Sequence, residues 1–301
     1  MWVVLLGGFL AGLAAAPISA LQIGASFSTG NLVFAPGRSP TDTSFDGTAF
    51  PWGISASAIQ PISDQASIDA ALDYDPVLRY TISALFTYRE QFFTVGVGPS
   101  FGIFNSTAEP LKSGIAATFA LEWPGVAFVN YFSDNTLGGA LVEPGDYIQE
   151  RNDLSVGFYV PNAICSLNLL TRRYVSATTT GSTIDDLSEY SFKTNLFQKN
   201  VPYRVLLTFG YQSLSESFVT SGSTTVDTLG SLIVGTRIEA SIGGSFTYVF
   251  DLTSSVYTFG QGALVGLSNP GPPWLDGYLF RLTTGIQVNL DQLLNHGVST
   301  K

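Results

Sequence analysis

The sequence predicts an all-β fold, a transmembrane antiparallel up-and-down β-barrel of about 14 strands, with 12 as the alternative. Three observations predict it. Hydrophobicity alternates with a period of two residues along nearly the whole chain. Only 12% of the 301 residues are charged while 13% are aromatic, roughly half the usual charged share for a water-facing surface. The links between alternating segments are short and long in turn. Beyond the N-terminus no stretch approaches the ~18 consecutive apolar residues of a helical span, which excludes helical crossing.

The first twenty residues, MWVVLLGGFLAGLAAAPISA, are apolar, uncharged and end in small side chains. They read as a signal peptide (1–20) cut between Ala20 and Leu21, although no Lys or Arg precedes the apolar core. The alternative is a retained anchor, for which the segment is short. The barrel is expected over 21–290 and a tail over 291–301. The first strand spans Ile23–Phe34, and two weak segments follow at 53–60 and 66–73; if these two belong to a loop, the count falls to 12.

The clearest unit comes next, RYTISALFTYREQFFTVGVGPSFGIF at 79–104. Tyr80, Ile82, Ala84, Phe86 and Tyr88 share one face, and after Arg89-Glu90-Gln91 so do Phe93, Val95, Val97, Phe101 and Ile103. Pro99 lies inside this second strand, where it removes a ladder bond, so a bulge is expected there. Ile115, Ala117, Phe119 and Leu121 alternate up to the turn EWPG, and Val126, Phe128 and Phe132 are the next outward set. Leu154, Val156, Phe158 and Val160 lead through PNA to Cys165, Leu167 and Leu169. Tyr190, Phe192 and Leu196 run to QKNVP, and Tyr203 to Tyr211 return. Leu232 to Ala240, Phe246 to Leu252 and Tyr278 to Leu290 complete the count. The stretches SATTTGSTIDD and SLSESFVTSGSTTVDTLG are assigned to long loops, and each strand to about 9–12 residues. Tyr and Trp gather near strand ends (Tyr88, Trp123, Tyr131, Tyr174, Tyr190, Tyr203, Tyr211, Trp274, Tyr278), as interfacial girdles do.

This pattern resembles Gram-negative-type outer-membrane β-barrels of the porin and FadL-like transporter range. The resemblance covers roughly 21–290 and is one of pattern, without a match to one family. In the last strand, TTGIQVNL places Thr283, Gly285, Val288 and Leu290 at a spacing resembling the signal read by barrel-assembly machinery. It departs from that signal in ending on Leu290 rather than an aromatic residue and in being followed by eleven residues. The resemblance implies a bacterial outer-membrane location, with membrane lipid and the assembly machinery as partners.

With the apolar set outward, Arg79, Glu122, Arg151, Asp153, Glu189, Lys193, Arg204, Arg237, Glu239, Asp251 and Arg281 point into the lumen. That is the inexpensive side, since Arg or Lys facing lipid costs about 2–4 kcal/mol at mid-bilayer. These charges either line a water-filled pore or bridge one another in a filled interior. Asp42, Asp46, Asp73, Asp75, Asp134, Glu143, Asp146, Asp185, Asp186, Glu216 and Asp227 are assigned to an acidic set of loops.

Nothing suggests an enzyme. The one histidine, His296, lies in the tail, and barrel hydrolases hold a histidine inside the rim. No metal cluster or phosphate-binding motif is present, and no cofactor is expected. The single Cys165 forms no intramolecular disulfide. A net charge of −10 argues against nucleic acid as partner. The expectation is therefore a porin-like channel passing small solutes by diffusion, monomeric by default. The alternatives are a FadL-like carrier of hydrophobic compounds and a closed-barrel adhesin or surface scaffold.

Overall fold

A computed structural model describes residues 20–30, 52–75, 77–103, 109–136, 141, 143–197, 201–242, 245–261 and 280–290. Residues 1–19 of the expected signal peptide, Asp42, Asp46, Trp274, Tyr278 and the tail with His296 lie outside them, whereas Ala20, the last residue of that expected segment, opens the first strand opposite Ile59. Fourteen strands form a closed barrel in which each pairs antiparallel with its sequence neighbours and β14 closes onto β1. They are β1 (Ala20–Gly30), β2 (Trp52–Pro61), β3 (Ala66–Asp75), β4 (Arg79–Arg89), β5 (Phe93–Ile103), β6 (Leu111–Trp123) and β7 (Ala127–Thr136), then β8 (Tyr147–Val160), β9 (Ala163–Ala177), β10 (Gly181–Phe197), β11 (Tyr203–Thr220), β12 (Thr224–Ile242), β13 (Phe246–Gln261) and β14 (Phe280–Asn289). Both weak segments, 53–60 and 66–73, are strands. Closure leaves no unpaired edge to protect, so a barrel can do without edge charges.

At one end the strands are joined by only two to five residues. Asn162 and Gly125 take left-handed φ angles of 64° and 71° there, as tight turns require. At the other end the links run from three to 21 residues. Two expected loops are instead strand. SATTTGSTIDD forms the β9–β10 hairpin and SLSESFVTSGSTTVDTLG the β11–β12 hairpin, each with a three-residue link. β8 to β13 consequently reach 14–19 residues.

The outer face shows why they are long. Between Tyr203 and Tyr211 the outward residues of β11 are Val205, Leu207 and Phe209, facing Ile238, Thr236 and Val234 on β12. Eight residue rises of about 3.3 Å, at a tilt near 40°, give an apolar belt roughly 20 Å high. Above Tyr190 and Tyr211 the outward positions become Ser188, Ser213 and Ser215, with Asp186 beside Arg173. That Arg173–Asp186 pair, 3.9 Å apart, has both side chains exposed. The strands therefore continue past the lipid into water. Trp123, Tyr131, Tyr190 and Tyr203 are among the exposed belt residues, but Tyr174 is not, because it faces inward and stacks on Tyr147 at 5.6 Å.

Two strand-level expectations are corrected. In β7, Ala127, Val129 and Tyr131 face out, while Phe128 and Phe132 face in opposite Gly157 and Asp153. Both faces of AFVNYFSDNT carry apolar residues, so alternation could not choose between them. The neighbours decide: the Phe128 ring occupies the space a side chain at Gly157 would need, and Phe132 lies 4.9 Å beneath the Arg151 guanidinium. At Pro99 there is no bulge. Ser83↔Ser100 and Phe86↔Val97 keep one register, and the ladder simply lapses at Ala84 and Leu85. The Ala84 carbonyl instead closes onto Gly98, where a Cβ would collide with it.

Candidate functional site

The lumen is built from the inward parity of every strand, and its main feature starts where β3 leaves β2. That ladder ends at Ala56↔Leu72, whereas β3 and β4 stay paired as far as Asp75↔Arg79. The β3–β4 tip thus parts from the wall and folds into the barrel. Val77 and Leu78 are 0% and 2% exposed and pack on inward Tyr147, Tyr174, Leu187, Leu214, Leu229 and Ile233. Arg79 closes the turn in the left-handed region at φ 63°. A 14-stranded barrel encloses more volume than wall side chains readily fill, and the tip fills part of it.

Polar contacts fix the tip. One Asp75 carboxylate oxygen accepts the backbone N–H groups of Val77 (2.8 Å) and Leu78 (3.0 Å), an Asx turn. The other accepts Arg172 Nε at 2.5 Å, and the same guanidinium reaches Asp153 through Nη1 at 2.5 Å and Nη2 at 3.2 Å. Gln149 Nε2 donates to the Leu78 carbonyl. Arg151 and Arg172 stand directly opposite on β8 and β9, a like-charge pair that carboxylates must hold together. Arg151 Nε bonds Asp153 at 2.9 Å and its Nη1 lies 3.4 Å from Asp73, while Asp134 faces it from β7. Asp73, Asp75 and Asp134, assigned to loops from sequence, are thus lumen residues. So is Asp185, wholly buried opposite Glu216.

On the far wall the inward positions fall into rows. Lys193, Thr208, Gly235, Thr253 and Arg281 are successive partners across β10 to β14. The row beside it runs Asn195, Leu206, Arg237, Asp251 and Thr283, and the next Arg204, Glu239, Val249 and Gly285. Between this wall and the tip lies a cavity of about 210 Å³, lined among others by Asp75, Glu189, Lys193, Gln212, Arg237, Asp251 and Arg281. A second, of about 190 Å³, abuts β1, β2 and β14 and is lined by Asp73, Tyr74, Arg237, Thr283 and Gly285.

Five of the eleven lumen candidates thus meet at one cavity. Glu239 holds Arg237 beside it, 2.7 Å from Nη2, and Arg204 is the register partner of Glu239. Arg151 and Asp153 belong to the tip cluster. Glu122 sits apart near the short-turn end, accepting from the Tyr159 hydroxyl at 3.0 Å, and Arg79 is exposed at the tip. Of the proposed assembly-signal residues, Thr283 and Gly285 face in, Val288 faces out opposite Ile23, and Leu290 lies just past β14. Cys165 faces out, opposite Phe158. Arg172, Gln149 and Gln212 were missed. Arg172 could have been found by carrying the parity of Leu167 and Leu169 on to Arg172-Arg173, which turns the first inward. No group of three or more metal-ligating side chains occurs among the described residues.

The chain has the architecture of an outer-membrane β-barrel. No family model matches it, and no curated protein does. Among solved structures it overlaps in-vitro folded OmpT of Vibrio cholerae, an outer-membrane protein in trimer form, at a TM-score of 0.45 and 7% identity, covering 91% of this chain and 99% of that one. A porin overlaps at 0.44 and 10% identity, covering 91% and 100%. The CymD monoaromatic hydrocarbon channel overlaps at 0.36 and 8%, covering 92% and 89%. The assignment of the fold rests on this chain's own closed register and apolar belt.

Proposed function

We propose that the protein is an outer-membrane channel through which small polar solutes diffuse along a lumen walled by charges of both signs and narrowed by the β3–β4 tip. The observation that carries this reading is the inward convergence of Glu189, Lys193, Arg237, Asp251 and Arg281 on one cavity inside a closed barrel. Charges confined to the inner face of an apolar-belted barrel suit a hydrated path. The solute itself and the lipid are the partners; catalysis and a cofactor have no place in it.

Single-channel conductance of refolded protein in a planar bilayer, under a salt gradient, tests the reading. Discrete, reproducible steps are expected, and the reversal potential reports which sign of charge governs passage. Protein that inserts and stays folded yet never conducts would overturn it in favour of a carrier or a surface scaffold. The carrier alternative draws on the parted β2–β3 ladder, beside which Tyr74 and Tyr80 pack at 5.0 Å.

A further inference from the structure

The cavity beneath the tip has a charge balance that its own ion pairs leave incomplete. Arg237 is bound to Glu239 through both Nε (2.8 Å) and Nη2 (2.7 Å). Lys193 lies 3.4 Å from Glu189, which also accepts the Ser191 hydroxyl at 2.9 Å. Asp75 is taken by Arg172. Two lining charges remain. Among the described residues the Arg281 side chain makes no hydrogen bond or ion pair, and the Asp251 carboxylate has only the Thr253 hydroxyl, at 3.3 Å. Asp251 stands directly opposite Arg237 in the register, yet that guanidinium is engaged by Glu239. Arg281 is one row away on β14, opposite Thr253. One unpaired cation and one unpaired anion therefore share a cavity without pairing to each other.

A second observation at the same wall also points to a ligand. Gln212, 4% exposed, lines this cavity, and its buried Oε1 has no hydrogen-bond partner. Buried acceptors are normally satisfied, so an unmet one in a cavity wall invites a donor from an occupant. The small residues of the central row, Thr208, Gly235 and Thr253, leave the recess in which that occupant sits.

We propose that this cavity is a binding site for small zwitterionic solutes that carry one carboxylate and one ammonium group. Arg281 takes the carboxylate, for which a guanidinium offers a planar pair of donors. Asp251 takes the ammonium, and Gln212 Oε1 accepts a further N–H or O–H donor. A singly charged solute would leave one of the two wall charges without a counter-ion, and a neutral solute would leave both. The cavity volume suits a molecule of a few carbon atoms. This assignment names the solute class of the channel proposed above, and rests on that reading only for the route by which the solute arrives.

The test is isothermal titration of the refolded protein in detergent micelles at pH 7 with a size-matched series: γ-aminobutyrate, butyrate, n-butylamine and n-butanol. Glycine and β-alanine then probe the spacing between the charges. Saturable binding of at least one zwitterion is expected, with butyrate and butylamine at least tenfold weaker and butanol silent. Arg281→Gln and Asp251→Asn should each weaken zwitterion binding at least tenfold, while Arg173→Gln on the outer face changes nothing. Butyrate or butylamine binding as tightly as γ-aminobutyrate, or absence of binding by every zwitterion, overturns the site. The ligand series uses the unmodified protein, so it decides the matter even where a variant fails to fold. Titration needs no conduction. Binding by a barrel that never conducts would sink the channel and keep the site, and conduction without binding would do the reverse.

Discussion

Arg172 shows how much can hang on one side chain. Its side chain is 4% exposed, and it bridges Asp75 on the tip and Asp153 on the wall, both at 2.5 Å. Removing one partner from a buried charge cluster costs about 3–5 kcal/mol, here because Asp75, only 13% exposed, is left without its counter-ion while Asp153 keeps Arg151. Arg172→Ala should therefore lose about that much in urea unfolding followed by tryptophan fluorescence. Arg172→Lys should recover only part of it, since one ammonium cannot hold two carboxylates as a planar fork does. A loss below about 1 kcal/mol would show the cluster to be hydrated and the pair weak. The residue was hard to see in sequence because Arg172-Arg173 offers a cation to either face. The parity of Leu167 and Leu169, carried forward, separates them, one into the lumen and the other to Asp186 outside.

At the scale of elements, the barrel wall was legible and its upper part was not. Within the belt, apolar residues mark the outer face, and alternation alone located β4 to β6 and β8 to β14 there. Above the belt the rule inverts. Leu187, Leu214 and Leu229 turn inward against the tip, while Ser188, Ser213 and Thr228 turn outward to water. A search for apolar residues on the outer face reads such a segment as polar loop, which is why the β9–β10 and β11–β12 hairpins were missed. The β3–β4 tip was missed for a related reason. Asp73 and Asp75 look like loop acids until the tip is seen folded inside. If the tip closes the path, deleting its two buried apolar side chains should open it. Val77→Gly with Leu78→Gly should leave a folded barrel by far-UV circular dichroism while raising mean conductance several-fold in a planar bilayer. The cost in stability is expected at about 2–5 kcal/mol for the leucine site alone, with the buried valine adding to it. Unchanged conductance would place the conducting path elsewhere than past the tip.

For the whole molecule, the decisive property is that two solvents meet one sheet, and which face meets which is open to direct test. Leu207 and Thr208 are adjacent on β11, near the middle of the stretch between Tyr203 and Tyr211. Leu207 is 43% exposed on the outer face, whereas Thr208 lines the lumen cavity opposite Gly235. In a soluble sheet protein the exposed leucine would meet water, and Leu207→Arg would cost little or stabilise. In a bilayer the same change carries a guanidinium into hydrocarbon, at about 2–4 kcal/mol near the midplane. Thr208→Arg adds a cation to a recess already lined by Glu189 and Asp251, and should cost less than about 1 kcal/mol if the lumen is hydrated as proposed. Both are measured as reversible unfolding in lipid vesicles. The order Leu207→Arg far worse than Thr208→Arg is specific to a lipid-facing exterior, because burial within the protein would penalise the inner site more. The opposite order would mean that the apolar belt faces water, and the membrane reading of the barrel would fall with it.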